Sequence, residues 1–353
     1  MDISTIDENF KIRKTTDGDC DYYDAAEKPF TVYGGFNEKE RGFVKMPYAV
    51  AEKVSAGVLW GSGCGAGIRI AFSTDSKKIK LDAEIRDKCL MNHMAFIGSA
   101  CFSLSEDYDG KTAFIGNFVT DMNGGLNVCK GELTLKGGKT RNYVLHLPLY
   151  SGVRKLSLGF DKESKVCAYE KFKGKKKILY YGSSITQGGC ASRPDNSYQE
   201  LVSERTGYDY VNLGFSGSAK AEDVMIECLK NSECDIFVCD YDHNAPDAEY
   251  LEKTHKKLYD AFRSSPLHKD LPVIFLSKPD GKRDPNGEKR FGIIKATFDY
   301  AKNKGDNVYL IDGRTVYPEE IREHCAVDGC HPTDLGFFFM AKAIIETITG
   351  NGL

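Results

Sequence analysis

The chain has 353 residues, 48 of them basic and 51 acidic, for a formal charge of −3 at pH 7. That near balance excludes the electrostatic footprint of a nucleic-acid or anionic-membrane binder and leaves neutral or small partners. With 41% hydrophobic and 28% charged residues it reads as soluble and globular, and its length predicts two domains, each with a core of its own. The start, MDISTIDENFKIRK, has no apolar run behind a basic head, and no later segment approaches the roughly 20 apolar residues that span a bilayer, so a cytoplasmic location is expected. Twelve cysteines lie scattered, Cys101 in ACFSL and Cys239 in IFVCDY among them. In such apolar settings they read as reduced, buried thiols rather than a disulfide framework.

Up to about residue 165 the pattern is of short alternating or apolar runs: GIRIAFSTDS, KIKLDAEI, AFIGNFVTDMNGG, GELTLKGGKTRNYVLHL and RKLSLGF. No stretch holds a helical period for long, and NGG and KGGK read as hairpin turns. A helix-poor antiparallel β-sandwich is predicted over residues 1–170. Within it, GSGCGAG at 61–67 looks like a dinucleotide loop, but strand-like IRIAF follows where a helix should begin. TDMNGG lacks the carboxylates that would make it a calcium loop. Trp60 reads as a core residue before a sugar-stacking platform.

EKFKGKKK, residues 170–177, reads as a solvated linker before a phosphate patch. From there to residue 353 strands alternate with helices. KILYYG leads to a helix over SYQELVSERTG, YDYVNLG to AEDVMIECLKN, and CDIFVCDY to DAEYLEKTHKKLYDAFRSS. LPVIFLS then precedes EKRFGIIKATFDYAKNKG, and NVYLIDG precedes DLGFFFMAKAIIETITG. Five such units predict an α/β domain, a parallel sheet with helices on both faces.

Ligands of open α/β sheets sit beyond the carboxyl ends of the strands. Those positions hold Gly182-Ser183-Ser184-Ile185-Thr186, then NLGFSGS with Gly214 and Gly217, then DYDHNAP with Asn244, and finally VDGCHP with Asp328 and His331. Singly, a serine there reads as a helix cap and a glycine as a turn. Together, a hydroxyl, a histidine with a nearby carboxylate and hydrogen-bond donors are the parts of acyl transfer. His324-Cys325 and Cys330-His331 are adjacent pairs, awkward for tetrahedral zinc. No metal and no cofactor is called for.

The blocks YGSSITQGG, NLGFSGS, DYDHNAP and DGCHPTDLGF, in this order, resemble the SGNH branch of the GDSL-type esterases and lipases over residues 178–350. More loosely, FVKMPYAVAEKVSAGVLWGSGCGAGIRIAFSTDS and GSACFSL resemble the sandwich preceding that domain in one bacterial subgroup. The resemblance implies a three-layer, flavodoxin-like α/β/α domain after a jelly-roll-like sandwich. It implies Ser184 as nucleophile, His331 as general base and Asp328 as its orienting acid. It also implies an oxyanion hole from Ser184, Gly217 and Asn244. Gly182-Ser183-Ser184 departs from the usual G-D-S, leaving two neighbouring serines in contention, and Asp242-His243-Asn244-Ala245 departs from G-x-N-D, with His243 altered toward substrate. The polar stretch GGCASRPDNSYQ offers Arg193 and Asn196 as sugar contacts, Asn196 equally as a helix cap. The implied activity is removal of O-acetyl groups from imported oligosaccharides, resembling bacterial carbohydrate esterases. A lysophospholipase or thioesterase and a non-catalytic glycan-binding scaffold are the alternatives. The sandwich is open to three roles: carbohydrate binding, loops over the site, or contacts in a homo-oligomer.

Overall fold

A computed structural model describes residues 13–108, 110–280 and 284–353. Its carboxyl-terminal half is built on a five-stranded parallel sheet in the order Asp209–Gly214, Lys177–Gly182, Ile236–Asp240, Val273–Leu276, Val308–Ile311. These strands are nearly continuous apolar runs, as strands covered on both faces must be. Helices Tyr198–Thr206, Asp223–Lys230, Ala248–Arg263, Gly287–Asn303 and Asp334–Gly350 follow them in turn. The first strand in the chain lies second in the sheet, so the strand order reverses between Lys177–Gly182 and Ile236–Asp240. Such a switch point opens a crevice at the carboxyl edge. No helix among the described residues is long and apolar enough to cross a membrane.

The amino-terminal half packs two antiparallel sheets face to face. One runs Thr15–Asp17, Cys20–Asp24, Val153–Asp161, Lys78–Ile85, Val128–Thr134, and the other Val166–Ala168, Arg69–Thr74, Arg141–His146, Phe102–Tyr108, Lys111–Phe118. Lys78–Ile85 alternates half-buried and buried residues along its length, burying Ile79, Leu81, Ala83 and Ile85 against Phe72, Phe102, Leu145 and Phe160.

Two expectations need correction here. NGG and KGGK close no hairpins: the strands on either side of each belong to opposite sheets, so both turns carry the chain across the sandwich. Gly137 and Gly138 do adopt positive φ, 62° and 75°. Glycine marks where the chain turns, not which strand it meets next. The sandwich half also contains helices Tyr48–Val54 and Ala56–Ser62, the second capped by Ser55 Oγ, which accepts from Val58 N–H at 3.2 Å. At seven residues each they are too short to display a sustained period.

These helices do not belong to the sandwich core. Met46, Ala51 and Val58 join the apolar cluster of Leu179, Phe215, Met225 and Phe237, while Ala66, Met94, Leu149 and Tyr150 join that of Ile178, Tyr180, Phe337 and Ile344. Polar contacts follow the same seam. Fully buried Arg69 donates to Asp209 Oδ1 at 3.0 Å and to the Tyr210 carbonyl at 2.7 Å, with its guanidinium 3.7 Å from the Tyr210 ring centroid. Gly67, at φ 80°, leaves no room for a side chain, since a Cβ there would stand 2.6 Å from Asn212 Cβ. In the basic connecting stretch Phe172 is buried, its ring edge-on to Tyr33 with centroids 4.9 Å apart. The linker is therefore pinned at its centre, where Lys171 also pairs with Asp107 at 3.2 Å, while Lys173, Lys175 and Lys176 stay exposed.

Candidate active site

Lys177–Gly182 delivers the chain to the sheet's carboxyl edge, where Ser183 caps the helical turn Ser184–Gln187. Ser183 is buried and its Oγ accepts from Ile185 N–H at 3.2 Å. Ser184 is half-buried, and its Oγ lies 2.9 Å from His331 Nε2. The two serines thus occupy different environments. His331 Nδ1 lies 2.8 Å from Asp328 Oδ2, and Asp328 Oδ1 accepts the backbone N–H groups of His331 at 2.8 Å and Cys330 at 3.0 Å. With the carboxylate accepting at Nδ1, the neutral ring carries its lone pair on Nε2, where the Ser184 hydroxyl donates. Burial works to raise the Asp328 carboxyl, but the N–H groups around it and the His331 ring outweigh that and hold it at about 2.

Ser184, as the first residue of its turn, has a backbone N–H without an intrahelical partner. Gly217 is exposed, with φ 65° and nothing within 4 Å of where a Cβ would stand. Asn244 Oδ1 accepts from Ala219 N–H at 3.3 Å, which fixes the amide orientation and leaves Nδ2 to donate elsewhere. The glycine and asparagine blocks are tied together through that bond.

A layer of buried polar side chains that the sequence did not single out holds these turns. Gln187 Oε1 accepts from Ser216 N–H at 2.9 Å, linking the serine turn to the Gly217 loop, and its Nε2 reaches the Leu149 carbonyl of the sandwich half at 3.2 Å. Asn212 Nδ2 and Gln199 Nε2 both donate to the Thr186 carbonyl, at 2.7 and 2.6 Å. Arg290 clamps the Asn244 turn from both sides, donating to the carbonyls of Asp242 and Ala245 at 2.8 Å each. The sandwich half contributes more: Tyr150 OH donates to the Ser184 carbonyl at 3.2 Å, and Lys45 Nζ to the Gly214 carbonyl at 2.5 Å. Burial lowers the Lys45 ammonium to about 8.

Beneath the serine turn, Asp240 Oδ2 accepts the hydroxyls of Thr186 at 2.7 Å and Tyr198 at 3.0 Å. Burial raises this carboxyl from 3.8 to about 7 despite those bonds. A carboxyl raised on folding costs stability as the pH climbs from its unfolded value to its folded one. Asp240→Asn removes the titration, so its melting temperature relative to the natural protein is expected to climb between pH 4 and pH 7 and then level off. A pH series of thermal melts in which that difference stays flat sinks the assignment.

The residues offered as sugar contacts divide. Arg193 donates through Nε to Asp195 Oδ1 at 2.8 Å and lies 4.3 Å from the Phe114 ring centroid, its side chain half-buried. Asn196 neither caps a helix, since Ser197 precedes Tyr198–Thr206, nor faces outward: its Nδ2 donates to Ser192 Oγ and Asp334 Oδ2 at 3.0 Å each. His243 differs: both ring nitrogens are buried and without a hydrogen-bond partner among the described residues. Burial, then the charges of Lys278, His331 and Arg290, push it well below the usual imidazole range, so it stays neutral. Trp60 is half-buried rather than core, its Nε1 donating to Asp87 Oδ2 at 3.1 Å.

A hydroxyl, an imidazole and a carboxylate in hydrogen-bonded line at the switch point of a five-stranded parallel sheet define the class: a serine-type hydrolase of carboxylic esters. The chain belongs to the SGNH/GDSL hydrolases. Residues 175–349 match the GDSL-like lipase/acylhydrolase family, and residues 20–166 match the amino-terminal domain of SGNH-hydrolase-type esterases. Among solved structures, it resembles a protein of Bacteroides ovatus ATCC 8483 described as a GDSL-like lipase, with 27% identity over 93% of this chain and 97% of that one and a TM-score of 0.82. The salicylyl-acyltransferase SsfX3 of a tetracycline biosynthetic pathway is similar in fold, at 15% identity over 96% and 99% of the two chains with a TM-score of 0.77. So is the acetyl xylan esterase Est2A of the rumen bacterium Butyrivibrio proteoclasticus, at 12% identity over 95% and 99% with a TM-score of 0.60. A search of curated proteins found no match.

Proposed function

We propose that this esterase removes O-acetyl groups from carbohydrates, acetylated oligosaccharides in particular, through an acyl-enzyme on Ser184. The observation that carries the substrate class is His243. Its neutral ring, one residue from Asn244, holds two buried nitrogens, one a donor and one an acceptor, without a partner among the described residues. Sugar hydroxyls offer both complementary groups, whereas an alkyl chain offers neither. The fold shared with an acetyl xylan esterase supports the same reading. The twelve cysteines, all described and all free, support work in a reducing compartment such as the cytoplasm.

In the proposed reaction His331 Nε2 takes the proton of Ser184 Oγ as that oxygen attacks the ester carbonyl. Asp328 holds the ring in the required tautomer and stabilises the imidazolium. The tetrahedral oxyanion meets the N–H groups of Ser184 and Gly217 and the amide of Asn244. The protonated ring then gives its proton to the departing sugar hydroxyl, and water repeats the cycle on the acetyl-enzyme, releasing acetate. Asn244→Ala, which deletes one oxyanion donor, is expected to lower kcat for p-nitrophenyl acetate by about 100- to 1,000-fold. A decrease below tenfold in steady-state assays removes Asn244 from that role.

Two assays test the substrate class. Acetate release is measured on acetylated xylan, acetylated mannan and simple sugar acetates, and hydrolysis on p-nitrophenyl esters from acetyl to palmitoyl. The proposal predicts release from the sugars and a steep fall with acyl length. Preference for long chains points instead to a lysophospholipase or thioesterase, and no turnover of any ester points to a binding scaffold.

A further inference from the structure

We infer that His93, Cys190 and His331 form a divalent-metal site, suited to zinc, that inhibits the enzyme by capturing the imidazole nitrogen its reaction uses. The inhibitory part rests on the reading of His331 as general base. One donor atom from each residue lies within 4.8 Å of the other two, and the His93 and His331 ring centroids are 5.2 Å apart. The donors come from three distant parts of the chain: the sandwich half, the loop after the serine turn, and the segment before the last helix. Two imidazoles and a thiol are the donor set zinc prefers, and three protein ligands leave a fourth position open. Bond lengths of about 2.0–2.3 Å in a tetrahedron put neighbouring donors roughly 3.5 Å apart. The separations exceed that by at most about 1.3 Å, and exposed His93 is one side chain free to rotate toward the others.

Two further features fit. His331 Nδ1 already faces Asp328 at 2.8 Å, the carboxylate–histidine arrangement that orients and strengthens metal ligands. The tautomer that makes Nε2 a base for Ser184 is also the one that makes it a ligand. Cys190 sits at φ 74°, a left-handed conformation uncommon for a residue with a side chain and one that clusters at functional sites. Neighbouring Gly188, at φ 99°, shows what an unstrained solution looks like. Of the adjacent pairs His324-Cys325 and Cys330-His331, only His331 belongs to this group. His324 is exposed, and the Cys325 thiol donates to the Ile321 carbonyl at 3.4 Å.

On binding, the Cys190 thiol releases its proton to solvent and ligates as thiolate, His93 and His331 ligate as neutral imidazoles, and no electron is transferred. The lone pair that accepts the Ser184 proton is then occupied. The protein, first treated with EDTA, is titrated with ZnCl2, and with MgCl2 as control, during p-nitrophenyl acetate hydrolysis. Zinc is expected to inhibit, EDTA to restore the rate and magnesium to do neither. Cys190→Ser and His93→Ala, each judged against its own metal-free rate, are expected to weaken zinc inhibition at least about tenfold. Unchanged zinc sensitivity in both variants, or none in the natural protein, overturns the inference. A readout free of turnover uses Co2+ with Ser184→Ala, where a thiolate-to-cobalt absorption band is expected that Cys190→Ser abolishes. Absence of the band overturns the site. Its presence, together with a natural protein that hydrolyses no ester, keeps the metal site and overturns the proposed function.

Discussion

Ser184→Ala is expected to lower kcat for p-nitrophenyl acetate by about 10⁴-fold or more, while Ser183→Ala keeps kcat within a few-fold of the natural protein. The two hydroxyls are adjacent in sequence but do different work in the fold. Ser184 Oγ faces His331 Nε2 at 2.9 Å, whereas Ser183 Oγ accepts from Ile185 N–H at 3.2 Å and is buried. Losing Ser183 therefore removes a helix cap, worth typically about 1 kcal/mol, and belongs in a denaturation curve rather than a rate. Mass spectrometry of protein quenched with a slow ester provides a second check: the acyl adduct should map to Ser184. Parallel losses of rate in both variants would leave the pair unresolved as nucleophiles and sink this division of labour.

The second large effect is expected at Asp328→Asn, about 10⁴-fold in kcat with KM little changed. An amide keeps an oxygen for the N–H groups of Cys330 and His331, so the turn survives, but its NH2 facing Nδ1 favours the tautomer whose Nε2 cannot accept the serine proton. The pH dependence separates the two roles of this carboxylate. Its folded value, about 2, lies below the ordinary 3.8, so its contribution to stability is present above 3.8 and is lost as pH falls through about 2. Activity lost on mild acidification is therefore not protonation of Asp328. A melt at pH 7 lowered by the loss of that contribution but still cooperative, together with the collapse of kcat, is the expected pattern; an unchanged kcat removes Asp328 from the relay.

The carboxyl-terminal architecture was legible because its strands are apolar runs such as KILYYG and VIFL, and its longer helices are separated from them by glycines and caps. The order of motifs alone places Ser184, Gly217, Asn244 and Asp328/His331 along one sheet edge. Less was legible where partners are remote in sequence. Gln187, Asn212, Gln199 and Asp240 are polar residues in or beside apolar runs, and nothing local distinguishes a buried polar brace from a surface side chain. The motifs YGSSITQGG and NLGFSGS did contain or adjoin Thr186, Gln187 and Asn212, and a polar residue inside an otherwise apolar strand was the one available signal. His93 and Tyr150 carried none, because their relevance arises from how the sandwich half docks. The bond from Arg193 Nε to Asp195, two residues away, was not legible either, because a short-range ion pair leaves no mark on an apolar or polar pattern.

The apolar clusters that run across the seam constrain how this architecture can change. Met46, Ala51 and Val58 complete one face of the parallel sheet's packing, and Ala66, Met94, Leu149 and Tyr150 the other. A cut in the linker at 170–176 would separate the polypeptide at its thinnest point yet strip apolar cover from both faces of the half that carries Ser184. Replacing the sandwich with another domain would therefore leave both clusters incomplete unless the newcomer restored that apolar cover. Short of such a replacement, new specificity has to arise through substitutions in loops that rim the crevice, such as the one bearing His93, while the two halves are inherited as one piece.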